Sequence, residues 1–458
     1  ALQDEPENSV VRGFDQEMPG AGWGTHFSLA KLAQLEKSRG GNYRGHLGLQ
    51  QDRVYTDPAF RVLAAAYKMR IPERPSCTLG ADCVEAIESD QRSKEHSDLS
   101  CEVTMKSVVL LKNDGTLPLK AGGPTRTIAL IGLPLNATSS GEGGMSGDYY
   151  SGGGSGHCVI SPENLVTPFQ ALKRRAEESG MRVLYSLSND KAAAVALANE
   201  ADLSVVLAAT TAGESVDRPN LTLDGGADPL IWQVAKVRPT VVLVQAPGTV
   251  LMPWHDQGGV AAIAIMFLGG EHTSNAWEAM LFGDVSPSGK LPLMIPTSMD
   301  GVVEPSLMHI DYSKEGLFTS YRARDVKAAF PFGHGLSYTN FSYGSPEVLP
   351  ASACTALVCV SVLVTNVGGP DSLPGTEVAQ AYVEFPASLD YPRLMLKGFH
   401  KSAALVVGAS EVAVFNFTAR DLSVYQGGGW HLQSSVTLHV GASSADLRRS
   451  LRLEIPTR

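Results

Sequence analysis

Gly213-Glu-Ser-Val-Asp-Arg218 gathers the residue types that could do acid–base chemistry. Glu214 stands one helical turn from Arg218, directly after an apolar run, residues 202–209, that reads as a buried strand. In an open α/β sheet, the loop leaving the C-terminal end of a strand is where ligands and chemistry sit. A carboxylate there is a candidate general acid. A solvent ion pair with Arg218 is the competing reading, since exposed Glu/Arg pairs are common and weak. A second stretch, Ser151-Gly-Gly-Gly-Ser-Gly156, has the glycine content of a phosphate cradle, but no Lys-Ser/Thr follows at the spacing that chemistry needs. Tyr149 and Tyr150, just before it, could stack on a ring or pack inside. None of the six cysteines shares a CxxC or Cys/His spacing with other ligands, which argues against a metal site.

The elements that must position Glu214 can be read from hydrophobic periodicity. Helical spacing of Val103, Ser107, Leu110 and Leu111 runs from about Cys101 into a stop at Lys112-Asn-Asp-Gly115. Strands are then expected at 127–132, 181–186, 202–209, 240–245 and 261–267, and helices at 168–179, 191–200, 229–236 and 274–282. Strands this apolar, separated by helices, imply a mainly parallel sheet covered on both sides. Beyond residue 345 the pattern turns all-β: residues 360–364, 378–384 and 412–416 alternate with period two between glycine-rich turns, as in a β-sandwich. Near the other end, residues 55–69 form an amphipathic helix pattern with Phe60, Leu63, Ala64 and Tyr67 on one face.

Composition bounds the rest. A chain of 458 residues calls for two or three domains, and 43% hydrophobic with 18% charged residues is globular rather than disordered. A net charge of −10 lacks the basic footprint that nucleic acid requires. The longest apolar run, residues 260–268, is too short to span a bilayer, and the polar, acidic opening Ala1-Leu-Gln-Asp-Glu-Pro does not read as a secretory leader. Cys77 with Cys83, and Cys354 with Cys359, are close enough to close small loops. Together with sequons at Asn136, Asn220, Asn340 and Asn416, these pairs favour an extracellular or lumenal protein.

At this point the residues resemble a family. Gly13-Phe-Asp-Gln-Glu-Met-Pro-Gly20 is similar to the GLDMEMPG element of glycoside hydrolase family 3, and Ser107-Val-Val-Leu-Leu-Lys-Asn-Asp-Gly-Thr-Leu-Pro-Leu119 to its SIVLLKNDGxLPL. The 151–156 loop resembles its GxGSG, and 213–218 its GEGYDR. Val250-Leu-Met-Pro-Trp254, Leu281–Pro292, Pro331-Phe-Gly-His-Gly-Leu-Ser-Tyr338, Gly375–Gln380 and Leu396–Phe399 correspond in the same order. The resemblance implies the tail of a (β/α)8 barrel over residues 1–75, a linker at 76–100, an α/β sandwich domain at 101–300, an extended connection at 301–345 and a fibronectin type III-like domain at 346–458. It implies a retaining exo-β-glycosidase that uses no cofactor, with β-glucosidase favoured over β-xylosidase by the 250–254 element and the compact Glu214 loop. In such enzymes an aspartate attacks the anomeric carbon while a glutamic acid protonates the departing oxygen and later activates water.

Carried over by residue, the resemblance makes Glu214 the acid/base, Ser155 a contact to bound sugar, and Asp217 and Arg218 supports of the loop. His334, Trp254 and Trp430 are expected to serve domain packing. The family's nucleophile lies in a Ser-Asp-Trp motif of the barrel, and no Ser-Asp-Trp occurs in these 458 residues. Asp4 has the right residue type near the expected place, but Gln3 and Glu5-Pro6 do not match. Two readings follow. Either a barrel polypeptide of the same precursor completes the site on a β-linked glycoside, or the chain is a non-catalytic carbohydrate-binding or structural protein. Under the first, closure against the barrel should raise the pKa of Glu214 by desolvation.

Overall fold

A computed structural model of the chain describes residue 34 and residues 56–73, 89–139, 147–216, 218–303 and 313–455. The Gly13–Gly20 element, Asp4, the Cys77/Cys83 pair and Asp217 lie outside the described residues. The chain divides into two units, residues 1–92 and 93–458. In the first, α1 (Thr56–Lys68) takes up the expected amphipathic pattern, and Phe60, Leu63 and Tyr67 on it are each more than half exposed.

In the second unit, α2 (Lys94–Ser107) leads into β1 (Val109–Asn113) and β2 (Thr127–Ile131). Then α3 (Pro168–Glu178), β3 (Arg182–Ser186), α4 (Lys191–Glu200) and β4 (Leu203–Ala209) alternate. The series closes with α5 (Ala227–Ala235), β5 (Thr240–Gln245), β6 (Val260–Met266) and α6 (Thr273–Phe282). One six-stranded sheet results, in the order β1-β6-β5-β4-β2-β3, with β2 to β6 parallel and β1 antiparallel at the edge. Every residue of β4, β5 and β6 is buried. Their period of two sends Val206, Ala208, Val242 and Ile263 to the layer of α4 and α5, and Val205, Leu207, Leu243 and Ala264 to that of α3 and α6.

Local chemistry sets the boundaries. Thr167 and Gln170 form a reciprocal capping box at the start of α3, Asp190 caps α4, and Gly283 ends α6 at φ 76°. The expected helix through Leu111 is corrected here. It starts earlier, at Lys94 under a Ser93 cap, and stops at Ser107, so residues 94–100 of the expected linker are helical. Val108 to Leu111 are four successive buried residues. A helix on a surface buries one stripe, whereas an edge strand between two helix layers buries both faces.

A connection carrying β7 (Ile295–Pro296) and β8 (Ala328–Phe330), which pair, leads to the sandwich. One sheet contains β9 (Phe341–Tyr343), β10 (Glu347–Val348), β11 (Val358–Asn366) and β14 (Ser410–Phe417). The other contains β12 (Val378–Glu384), β13 (Leu394–Lys401), β17 (Ser435–Gly441) and β18 (Leu447–Glu454), while β15 (Ser423–Gln426) and β16 (Gly429–Leu432) form a separate hairpin. β9 pairs with β11, so residues 341–343 belong to the sandwich rather than to the expected connection. Cys354 and Cys359 are disulfide-bonded.

Candidate active site

The site is built where the sheet changes direction. From β2 the chain runs outward to β3, then returns past β2 to β4 on its other side. The loops leaving β2 and β4 therefore part to opposite layers, opening a crevice at the strands' C-terminal ends. Both sequence-predicted stretches, 151–156 and the described part of 213–218, lie there within the segments 147–156 and 210–216. Gly153 N–H donates to Ala212 O at 2.9 Å, Glu214 N–H to Gly153 O at 3.3 Å and Thr211 Oγ1 to Asp148 O at 2.8 Å. Neighbouring strand ends join in: Gln245 Nε2 donates to Tyr149 O at 3.0 Å and Gly270 N–H to Tyr150 O at 3.0 Å.

This lacing brings Glu214 and Ser155 together. Glu214 Oε2 accepts from Ser155 N–H at 2.8 Å and from the Ser155 hydroxyl. The approach is so close that a Cβ on Gly154, at φ +98°, would stand 2.3 Å from the Glu214 Cβ. Ser155 thus touches the carboxylate it was expected to accompany around a sugar. The Ser155 hydroxyl, and then its backbone N–H, hold the Glu214 carboxyl below the usual glutamate range. The rise expected on closure against a barrel belongs to a desolvated state that this open carboxylate is not in. Glu214 is fully exposed in this structure, so desolvation is too slight to overcome two donors aimed at the anion.

The residues around Glu214 divide into supports and exposed groups. Among the described residues, Arg218 makes no ion pair with Glu214; its Nη2 donates to Thr249 O at 2.9 Å, tying the loop to the segment after β5. Burial lowers the Arg218 pKa, opposed by the Asp224 charge. Val216 is about half exposed (47%) and its N–H closes the turn onto Gly213 O at 3.2 Å. Tyr149 donates to Asp224 Oδ2 at 3.2 Å, and burial, then Asp224, push its pKa up to about 12. Tyr150 is buried with its hydroxyl on Ala137 O at 2.7 Å, so it packs rather than stacks on a ligand.

Asp148 and His157 escaped the sequence reading, and Ser151 entered it only as the first residue of the glycine loop. Asp148 Oδ1 accepts from the N–H groups of Tyr150 and Ser151, both at 2.8 Å, and Oδ2 accepts from Ser139 Oγ at 2.8 Å. His157 Nδ1 lies 2.6 Å from Gly152 O and 3.0 Å from Ser151 Oγ, with Nε2 3.8 Å from Asp148 Oδ2. A Ser-His-Asp nucleophile is not what this makes. Contact with a carbonyl oxygen requires the hydrogen on Nδ1, which then cannot take the Ser151 proton. The cluster instead fixes the glycine loop. Asp148 two residues before Tyr150 is an Asx-turn signal that could have marked it.

The packing residues fall elsewhere. Trp254 is buried and donates to Asp228 Oδ1 at 2.8 Å, and His334 donates to Leu111 O at 2.8 Å, its pKa lowered chiefly by burial. Trp430 is corrected: it is 46% exposed on the β15–β16 hairpin, held by Tyr425 and Arg420 rather than between domains. The four sequon asparagines are all exposed. Among the described residues no group of three or more His, Cys, Asp or Glu side chains could hold a metal, and no helix is long and apolar enough to cross a membrane.

Comparison with known proteins then gives this geometry a context. A model of the glycosyl hydrolase family 3 C-terminal domain matches residues 108–338, and one of a fibronectin type III-like domain matches residues 377–444. The chain is 33% identical to a probable beta-glucosidase L of Aspergillus terreus, over 96% of this chain and 64% of that protein. It is 34% identical to thermostable beta-glucosidase B of Acetivibrio thermocellus, over 80% of this chain and 50% of that one. It therefore spans less than two thirds of the length of these relatives. A solved beta-glucosidase from Chaetomella raphigera superposes with a TM-score of 0.83 at 26% identity, covering 100% of this chain and 67% of that one. The beta-D-glucoside glucohydrolase of Trichoderma reesei does so at 0.81 and 27%, covering 99% and 67%.

Proposed function

The chain belongs to glycoside hydrolase family 3, and on that premise we propose that it supplies the acid/base half of a retaining exo-β-glucosidase. Glu214 protonates the departing glycosidic oxygen and afterwards takes a proton from the attacking water. The aspartate that attacks the anomeric carbon comes from a (β/α)8 barrel of the same precursor, facing the crevice between β2 and β4. Substrates are terminal, non-reducing β-D-glucosides. The observation that carries this reading is the exposed Glu214 carboxylate at the sheet's switch point, on a loop laced to the glycine loop by Gly153 and Ser155. Asp217 and Arg218 steady the loop, Arg218 through Thr249 O.

The lowered pKa of Glu214 fits a half-site. An acid must be protonated when substrate is bound, and an open carboxylate held by two donors is an anion near neutral pH. Docking of a barrel and a sugar removes water and draws Glu214 from Ser155 toward the glycosidic oxygen; both changes raise its pKa. The exposed sequons and the Cys354–Cys359 disulfide favour an extracellular or lumenal setting.

In the enzyme completed by its barrel, Glu214→Gln lowers kcat on an unactivated aryl β-glucoside by about 10²–10⁴-fold, the ordinary worth of general acid–base catalysis. Added azide restores turnover of a substrate with an activated leaving group, because a small anion needs no general base. Undiminished kcat in Glu214→Gln would sink the assignment. The 458-residue chain alone does not hydrolyse the substrate. The alternative reading is a non-catalytic carbohydrate-binding protein built on the same two domains. That reading stands if no barrel polypeptide restores turnover while the chain retains a saturable affinity for β-glucosides.

A further inference from the structure

A cavity of about 410 Å³ lies between the short 3-10 turn Ser320–Arg322 and the segment joining β12 to β13 on the sandwich. It shares no lining residue with the loops around Glu214. Its walls are aromatic and fixed from behind. Tyr321 stacks on Phe332 at 4.4 Å between ring centroids, and its hydroxyl accepts Leu396 N–H at 3.0 Å. Tyr391 meets the edge of Phe385 at 5.2 Å. Phe318 is covered by the Arg324 guanidinium at 3.7 Å. Rings locked in this way lose little freedom when something slides between them.

Three guanidinium groups line the cavity, and two are already neutralised. Arg324 pairs with Asp390 at 2.9 Å and Arg393 with Glu384 at 2.7 Å. Among the described residues Arg322 has no carboxylate partner, and its guanidinium makes one hydrogen bond, from Nη2 to the Thr319 hydroxyl at 3.3 Å. The turn that presents Arg322 contains Ser320 at φ 52°, in the left-handed region that favours glycine. Backbone held there by a non-glycine residue is a mark of sites where position matters more than local comfort. One unneutralised fork donor between aromatic walls is the complement of one carboxylate carried on a flat ring.

The geometry points to this cavity as a binding site for small aromatic monocarboxylates, with Arg322 gripping the carboxylate and Tyr321, Tyr391 and Phe318 enclosing the ring. A uronic acid offers the same charge, but its hydroxylated ring gains less than a flat aromatic one against the faces of Tyr321, Tyr391 and Phe318. The aromatic acid is therefore the ligand class the lining selects.

Binding is measured on the protein by calorimetry and thermal shift with 4-hydroxybenzoate, the neutral 4-hydroxybenzyl alcohol and glucuronate. The expected result is saturable binding of 4-hydroxybenzoate with a rise in Tm, and at least about tenfold weaker binding both of the alcohol, which loses the charged hydrogen bond, and of glucuronate, which loses the aromatic ring. Arg322→Gln abolishes the difference between acid and alcohol. Arg322→Lys retains part of it, since the charge stays and the planar fork goes. An unshifted Tm and near-ultraviolet spectrum of both variants without ligand establish that the fold is intact. No saturable binding of the acid, unchanged binding in Arg322→Gln, or equal binding of glucuronate would each overturn the proposal.

Discussion

Glu214 is poised by one neighbour. The Ser155 hydroxyl and N–H both converge on Oε2, and the hydroxyl contributes most to the lowered pKa. Ser155→Ala removes the larger donor and leaves the smaller. The Glu214 carboxyl should then titrate closer to its ordinary value, a change that side-chain carbonyl NMR reads directly. The sign for stability follows from linkage. A carboxyl whose folded pKa lies below its unfolded one adds stability above the unfolded pKa, and that contribution fades as pH falls through the folded value. The Ser155→Ala variant should therefore be less stable than the parent at neutral pH, with the two converging in acid. An unmoved Glu214 titration would show that Ser155 does not hold the anion. None of this was legible in the sequence, where residues 155 and 214 are far apart and each suggests a contact to sugar.

At the scale of elements, much of the sheet was legible and the crevice was not. Strands β4, β5 and β6 are apolar on both faces, and only a strand covered on both sides tolerates that, so the parallel sheet followed from composition. Leu110 and Leu111 misled because a short apolar run satisfies helical and strand periodicity alike. The order of β2 between β3 and β4, which creates the crevice, is a property of topology that no local pattern carries. Two loop conformations depend on it. Ser215 sits at φ 63° where the family's GEGYDR element has glycine, and Gly154 must let two loops touch. Gly154→Ala puts a Cβ 2.3 Å from the Glu214 Cβ and strains a backbone already at φ +98°. Expected is a loss of about 1–3 kcal/mol in urea unfolding. Faster hydrogen exchange at the Glu214 amide should accompany it, as the bond to Gly153 O opens. Unchanged exchange would mean that the glycine loop does not hold the Glu214 loop.

Across the molecule, the α/β domain and the sandwich are joined by polar groups rather than by a continuous apolar core. Among the described residues, one apolar core lies on each side of the six-stranded sheet and another inside the sandwich. Gln380 Nε2 donates across the joint to Gly333 O at 3.0 Å, and it is held within the sandwich by Ala442 O at 2.7 Å and by Tyr382 OH, which donates to its Oε1 at 2.6 Å. Beside them Lys290 donates to Gly335 O at 2.7 Å and pairs with Glu377 at 3.1 Å, their side chains only 14% and 5% exposed. Lys290 follows the turn after α6 and Glu377 immediately precedes β12, so the pair spans the joint. Removing one partner of a buried pair strands the other charge, which costs about 3–5 kcal/mol, whereas replacing both costs far less. Lys290→Met should accordingly lower the stability of the second unit by that amount, and the Lys290→Met/Glu377→Leu double variant should recover most of it. Urea unfolding followed through a double-mutant cycle gives the coupling. If the sandwich is a passive appendage, it unfolds alone in Lys290→Met and the α/β transition keeps its midpoint. If the pair carries the joint, both transitions move together, and the loops around Glu214 inherit the loss through Leu110, which bonds Leu336 of the same seam and lies in the sheet beside β6.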